Sequence, residues 1–262
     1  MTGRAALRVE ALAKTFPGGV QAVSDVSFAA GPGELVALVG ESGCGKTTTL
    51  KCVNRLLEPS SGRIEIDGED AAGLDPVALR RRIGWVMQGD GLFPHYTVSE
   101  NIAVVPRLLG WDPERIAARV DELLTLVRLD PAEFAKRRPS ALSGGQRQRV
   151  GVARALAAGP GLMLMDEPFG ALDPITRDAL REDVAALQAE LRFAAVLVTH
   201  DMAEALLLAT RIAVMHEGAV IQYDTPERLL AAPADERVSR MLESPLREAG
   251  RIAALRQGAG HG

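Results

Sequence analysis

Gly40-Glu41-Ser42-Gly43-Cys44-Gly45-Lys46-Thr47 stands between an apolar run, Leu35 to Val39, and a run with helical spacing, Thr48 to Leu57. The stretch fits the pattern G-x-x-x-x-G-K-[ST]. Glycines let a backbone fold tightly around phosphate groups, and successive amide N–H groups at a helix start supply positive potential. In such a loop Lys46 acts as a point charge for the outer phosphates and Thr47 as a hydroxyl ligand for magnesium, with Thr48 beside them in the nucleotide-binding stretch. The flanks separate this reading from a plain glycine-rich turn. Leu35-Val36-Ala37-Leu38-Val39 is a continuous apolar run suited to a buried parallel strand, and Leu50, Val53, Leu56 and Leu57 recur at helical spacing.

At 262 residues the chain suits one large domain or a core with an inserted subdomain. A net charge of −4 and a pI near 5.7 argue against general nucleic-acid affinity, which rests on a basic footprint. The two cysteines, Cys44 and Cys52, fall in the phosphate loop and its helix, too few for a disulfide framework and in keeping with a reducing cytoplasm. Met1 to Glu10 carries no secretory-signal pattern. The longest apolar region, Val150 to Met165, is broken by Arg154 and by Gly159-Pro160-Gly161 and cannot span a bilayer. Any membrane role must therefore come through a partner.

Residues Leu7 to Phe28 alternate in short runs between turn signals and predict a small antiparallel sheet. Phe16 within it can stack on adenine or pack in a core, and stacking is favoured. After the loop helix, Arg63 to Gly68 predicts an edge strand, Pro76 to Arg82 a short basic helix, and Ile83 to Met87 another strand ending on Gln88. A glutamine there reaches either magnesium or an attacking water, though in isolation it reads as a solvated amide. Residues 89 to about 160 hold little that looks like strand and predict a helical insert, with an amphipathic helix opening at Pro113. Its Leu92 to Thr97 is an aromatic loop, a docking surface or hinge packing, in which His95 is structural because no second metal ligand lies at a suitable spacing. The insert closes on Leu142-Ser143-Gly144-Gly145-Gln146, a second helix start fit for an anion or simply an N-cap. Two such starts with one lysine loop suggest that the second serves a neighbour's nucleotide. The strand Leu162 to Met165 delivers Asp166 and Glu167, whose alternation would turn one toward magnesium and the other toward the γ-phosphate side. Asp173-Pro174 opens a helix, and a buried strand from Ala194 to Thr199 ends on His200. Parallel sheets place ligands at such carboxyl ends. A hairpin from Arg211 to Tyr223 and a last amphipathic helix follow, and 248–262 reads as a flexible tail.

In this order the pieces resemble the ATP-hydrolysing subunit of ATP-binding cassette (ABC) transporters over roughly residues 7 to 245. Gly40 to Thr47 resembles the family's Walker A loop, Leu162 to Asp166 its Walker B strand and Leu142 to Gln146 its signature sequence. Gln88 falls at the Q-loop, Ala171-Leu172-Asp173 at the D-loop, His200 at the switch histidine and Phe16 at the adenine-stacking position, where the family more often has tyrosine. The resemblance implies an α/β fold: a P-loop NTPase, RecA-like core with an N-terminal antiparallel β subdomain and an inserted α-helical subdomain, residues 1–247 forming the nucleotide-binding domain. It implies a head-to-tail pair of subunits that bury two ATP molecules with Mg²⁺. Each ATP lies between the Walker loops of one subunit and Ser143, Gly144, Gly145 and Gln146 of the other. Glu167 is then the general base, His200 and Gln88 hold the γ-phosphate and the water, Thr47, Gln88 and Asp166 hold the metal, and Asp173 communicates across the dimer.

A narrower resemblance lies in Asn54 to Pro59, Leu92 to Val98, Glu100 to Pro106 and Asp173 to Arg177, which are similar to the ATPases of bacterial osmoprotectant importers. That implies uptake of a quaternary amine such as glycine betaine, choline or carnitine, through a permease fed by a substrate-binding protein, at the cytoplasmic face of the membrane. Import of another small amine or an amino acid is the alternative, and a cassette ATPase acting on DNA or ribosomes comes third. Some relatives append paired CBS domains, and none is expected here. Gly89-Asp90-Gly91 departs from the residues those relatives usually carry after the glutamine.

Overall fold

Alternating side chains at the start of the chain build two antiparallel strands, β1 (Leu7–Thr15) and β2 (Gln21–Ala30), in a computed structural model that describes residues 5–89 and 91–259. The readings that fall on residues 1–4, 90 and 260–262 lie outside those described. β3 (Leu35–Val39) follows, buried at all five positions, and runs through the glycine loop into α1 (Lys46–Val53). This helix is shorter than the apolar spacing predicts. Arg55, at φ 48°, turns the chain so that its guanidinium donates to the carbonyls of Ala71 and Leu74, and Leu56 is left half exposed.

β4 (Ser61–Ile66) pairs with β1, and the two-residue β5 (Glu69–Asp70) pairs outside it, so the strand expected at the edge lies one place in. α2 (Pro76–Arg82) and β6 (Ile83–Val86) lead into the helical insert: α3 (Val98–Ile102), α4 (Val104–Leu108), α5 (Pro113–Leu126), α6 (Pro131–Phe134) and α7 (Gly144–Leu156). β7 (Leu162–Asp166), α8 (Pro174–Leu191), β8 (Ala194–Thr199) and α9 (Met202–Leu208) then alternate. β9 (Arg211–His216), β10 (Ala219–Asp224), α10 (Pro226–Ala231) and α11 (Glu236–Ala259) close the described chain.

The strands form one sheet in the order β5-β4-β1-β2-β10-β9-β3-β8-β7-β6. From β9 to β6 the neighbours run parallel. The antiparallel arm is fused to this part where Ala219 of β10 meets Asp25 of β2. Helices cover both faces of the parallel part. Leu35, Ala37 and Val39 pack on the side of α3, α5, α7 and α8, whereas Val36 and Leu38 face α1 and the antiparallel arm. Burial of each large apolar side chain, worth about 1.5–3 kcal/mol, makes β3 a rigid base for the loop that follows it.

Helix starts are written locally. Asp75, Asp112, Asp130, Asp173 and Thr225 each accept a backbone N–H and each precede a proline at the first helical position. α11 runs on through Pro245 into the stretch read as a flexible tail and is helical to Ala259. Among the described residues no helix is long and apolar enough to cross a membrane.

Candidate functional site

The loop between β3 and α1 can be closed only by glycine at two points. Gly40, at φ 156°, and Gly45, at φ 102°, would each bring a Cβ to 2.3 Å from a backbone carbonyl, that of Met215 and that of Ala22 respectively. Gly43 takes φ 83° in open space, and Glu41 and Ser42 beside it are exposed, while Cys44 is buried. α1 has no side-chain cap, so its first amide groups face the loop unsatisfied by any side chain, a donor set suited to phosphate. Lys46 is 6% exposed, and its Nζ donates to the carbonyls of Gly40 and Glu41 at 2.7 and 2.8 Å, which sets the amine across the loop's mouth. Thr48 is half-buried one turn into the helix, and the hydroxyl of Thr49 donates to the Gly45 carbonyl.

Thr47 Oγ1 donates to Asp166 Oδ1 at 2.9 Å, so the hydroxyl after the lysine and the carboxylate at the end of β7 share one place. Burial pushes the Asp166 carboxyl above its ordinary range, and the Thr47 hydrogen bond draws it part of the way back. Two hard oxygen ligands fit magnesium, which is held by few protein groups and completes its shell with phosphate and water. The buried thiol of Cys52 is raised to about 11 by desolvation and stays protonated at neutral pH.

Glu167 corrects one expectation. β7 ends at Asp166, and Glu167 takes φ 45°, so its direction comes from a left-handed turn rather than from strand alternation. Its backbone N–H donates to the Val198 carbonyl, which pins the turn to β8. The turn sends its carboxylate toward two other residues singled out above. Gln88 Nε2 donates to Glu167 Oε2 at 3.1 Å, and His200 Nδ1 lies 3.4 Å from Glu167 Oε1. A cavity of about 20 Å³ behind them is lined by Glu167, Arg177, His200 and Glu204. Motif reading missed Arg177 and Glu204, although an acid in the first turn of a helix four residues past His200 is a local signal.

Ser143 and Asp173 belong to another part of the surface. Ser143 caps α7 in a reciprocal box with Gln146, and both Ser143 and Gly144 are exposed. A Cβ on Gly145 would lie 2.3 Å from Cγ2 of Thr176, so this glycine is where α7 presses on α8. Asp173 Oδ1 accepts from Thr176 N, and hydrogen bonds from Thr176 hold its carboxyl below the usual range. Phe16 is half-buried in the turn between β1 and β2, with Lys14 Nζ 5.6 Å from its ring centroid.

Beside Thr47, Gln88 and Asp166 opens an apolar groove of about 580 Å³, walled by Leu56, Trp85, Met87, Phe93 and Val105. The aromatic loop borders it. Buried Asn101 holds that loop, accepting from Phe93 N and donating to the carbonyls of Phe93 and Thr97, while the rings of His95 and Tyr96 meet edge to face at 4.7 Å.

A phosphate loop at the end of a central parallel strand, a magnesium-grade oxygen pair formed by Thr47 after that loop and Asp166 at the end of β7, two strands over, and a serine-capped, glycine-rich helix start on a helical insert define a P-loop ATPase cassette. The chain belongs to the ABC transporter family, whose model matches residues 23–170. It is 52% identical over 236 residues to the glycine betaine/carnitine/choline transport ATP-binding protein OpuCA of Bacillus subtilis (strain 168), a match covering 90% of this chain and 62% of that one. It is 48% identical over 219 residues to the glycine betaine uptake system ATP-binding protein YehX of Escherichia coli (strain K12), covering 84% of this chain and 71% of that one. The chain thus spans about three fifths of the length of the first of these relatives. Among solved structures it is similar to the dimeric post-hydrolysis state of the ATP-binding cassette MJ0796 bound to ADP and Pi, with a TM-score of 0.75 and 33% identity, covering 84% of this chain and 98% of that one.

Proposed function

We propose that this chain is the ATP-binding and ATP-hydrolysing subunit of an importer for an osmoprotectant quaternary amine such as glycine betaine, choline or carnitine. The observation that carries the hydrolytic part is the convergence of Gln88 and His200 on the Glu167 carboxylate, next to the Thr47–Asp166 pair. The cargo class is supported by relatives named for these amines.

The chain's residues divide the work. Gly40 to Thr48 wrap the phosphates with backbone amides, and Lys46 turns its amine from loop carbonyls to phosphate oxygens. Thr47 and Asp166, with Gln88, hold magnesium, which neutralises charge between the outer phosphates when bound. Glu167 accepts the proton of the attacking water, and His200 and Gln88 fix that water from either side of the carboxylate. Phe16 stacks on the adenine.

Two copies pair head to tail. Ser143 and Gly144 are exposed at a helix start and, with Gly145 and Gln146 behind them, serve the partner copy's nucleotide, while Asp173 and the nearby Ile175, 84% exposed, cross the interface. ATP's charge holds the pair closed, and its loss lets the halves part. The apolar groove receives a cytoplasmic segment of a membrane permease, and Gln88 at its lip reports that contact to Glu167. The subunit thus sits peripherally at the cytoplasmic face of the membrane, and a substrate-binding protein on the far side delivers the cargo.

The test is reconstitution of the chain with its copurifying permease and binding protein in vesicles, followed by ATP turnover with betaines, choline, carnitine and amino acids in turn. Stimulation by quaternary amines is expected. Stimulation by amino acids alone would overturn the cargo.

A further inference from the structure

His200 is held loosely by packing. Its side chain is 63% exposed, so its contact with Glu167 depends on where the backbone from Thr199 to Glu204 places it. That backbone is tied from beneath. Thr199 Oγ1 accepts from Asp201 N at 3.0 Å, and Asp201 Oδ1 accepts from Glu204 N at 3.2 Å. Glu204 is 4% exposed, and Arg181 Nε of α8 lies 3.4 Å from its Oε1.

A buried carboxylate is costly to keep charged, and a well-packed apolar residue would serve stability as well or better. Burial pushes the Glu204 carboxyl up, whereas Thr199 and Arg181 draw it down, with Asp201 and Arg177 as the other charges facing it. Glu204 also lines the small cavity whose other walls include Glu167 and His200. Arg181 stands on α8 eight residues past Asp173, about 12 Å along the helix at roughly 1.5 Å per residue. Any shift of α8 thus reaches the histidine segment through one ion pair.

We infer that Glu204 is a positioning residue for hydrolysis: paired with Arg181, it fixes the segment bearing His200 relative to α8, the helix that Asp173 opens. This rests on the hydrolytic reading of Glu167 and His200 above. Because Glu204 acts through His200, its removal should matter only while the histidine is present.

The test is a double-mutant cycle on the full chain with ATP and magnesium, using His200→Ala, Glu204→Gln and both together, with turnover and nucleotide affinity measured for each. Glu204→Gln should lower kcat about tenfold with ATP affinity held within about twofold, and should add no loss in the His200→Ala background. Full turnover of Glu204→Gln, or an equal loss in both backgrounds, would overturn the inference and leave the hydrolytic reading intact. Full turnover of His200→Ala would overturn the hydrolytic reading and this inference with it. Should Glu204→Gln fail to fold, Arg181→Lys, which keeps the charge but changes its reach, carries the same cycle with the same two outcomes.

Discussion

Gln88 Nε2 donates to Glu167 Oε2 at 3.1 Å, joining the lip of the apolar groove to the carboxylate beside the phosphate loop. One hydrogen bond therefore spans from the surface assigned to the permease to the group assigned to the water. The loop that carries Gln88 is the short path between the two.

If Glu167 takes the proton of the attacking water, Glu167→Gln keeps the shape and the contact with Gln88 but removes the base. ATP turnover should fall by about 100-fold or more, the range of general-base contributions, with ATP binding retained. Steady-state phosphate release and equilibrium nucleotide binding measure the two quantities. Normal turnover refutes the assignment.

Lys46 donates to two loop carbonyls, which the proposed function has it trade for phosphate oxygens when nucleotide binds. Lys46→Ala forfeits a charge-assisted contact of about 1.5–3 kcal/mol, or roughly a 10- to 150-fold loss of ATP affinity by titration calorimetry. Unchanged affinity would mean that the loop does not hold phosphate.

Asp166 gives a pH test. Its ordinary pKa is 3.8, and burial raises it in the folded chain. The folded state then holds the proton more tightly, so this group favours folding below its unfolded pKa and loses that contribution as pH rises through the folded one. At pH 7 the buried charge is a net cost. Asp166→Asn still offers Thr47 an oxygen and should raise the Tm of the nucleotide-free chain, by about 2–4 °C for each kcal/mol relieved. The gain should shrink as pH falls toward about 4. Differential scanning fluorimetry across pH checks it, and a gain that grows on acidification contradicts it.

Gly145→Ala should strain the contact between α7 and α8, because the new methyl meets Thr176 Cγ2. Overpacking of this kind costs about 1–3 kcal/mol. Adding Thr176→Ser removes the opposing methyl and should restore most of the Tm. Equal melting of the single and double variants would show that the contact does not limit packing there.

What was legible in the sequence is what is written locally. The phosphate loop needs one strand end, four glycines or small residues and a lysine in a single stretch, and the helix starts need an aspartate or threonine before a proline. Both kinds of signal are local because the physics acts over a few residues. Arg55 ends α1 early for the sake of carbonyls sixteen and nineteen positions away, and no spacing of apolar residues shows that. The left-handed turn at Glu167 was equally hidden, since a glutamate at positive φ is set by the β8 carbonyl that its N–H reaches. Gly145 reads as part of a helix start fit for an anion until Thr176, on a helix one strand further along, is seen against it. The Arg181–Glu204 pair joins two helices across β8, and neither residue stands in a motif of its own.

The central claim is that ATP's charge joins two copies of this fold. It is tested most directly by the mass in solution of the Glu167→Gln chain, by light scattering or sedimentation, with and without ATP and magnesium. The account predicts a 27.9 kDa monomer that doubles in mass when ATP and magnesium are added and reverts when Ser143 is also replaced by a bulky residue. A chain that binds ATP yet stays monomeric with its hydrolytic carboxylate disabled contradicts it.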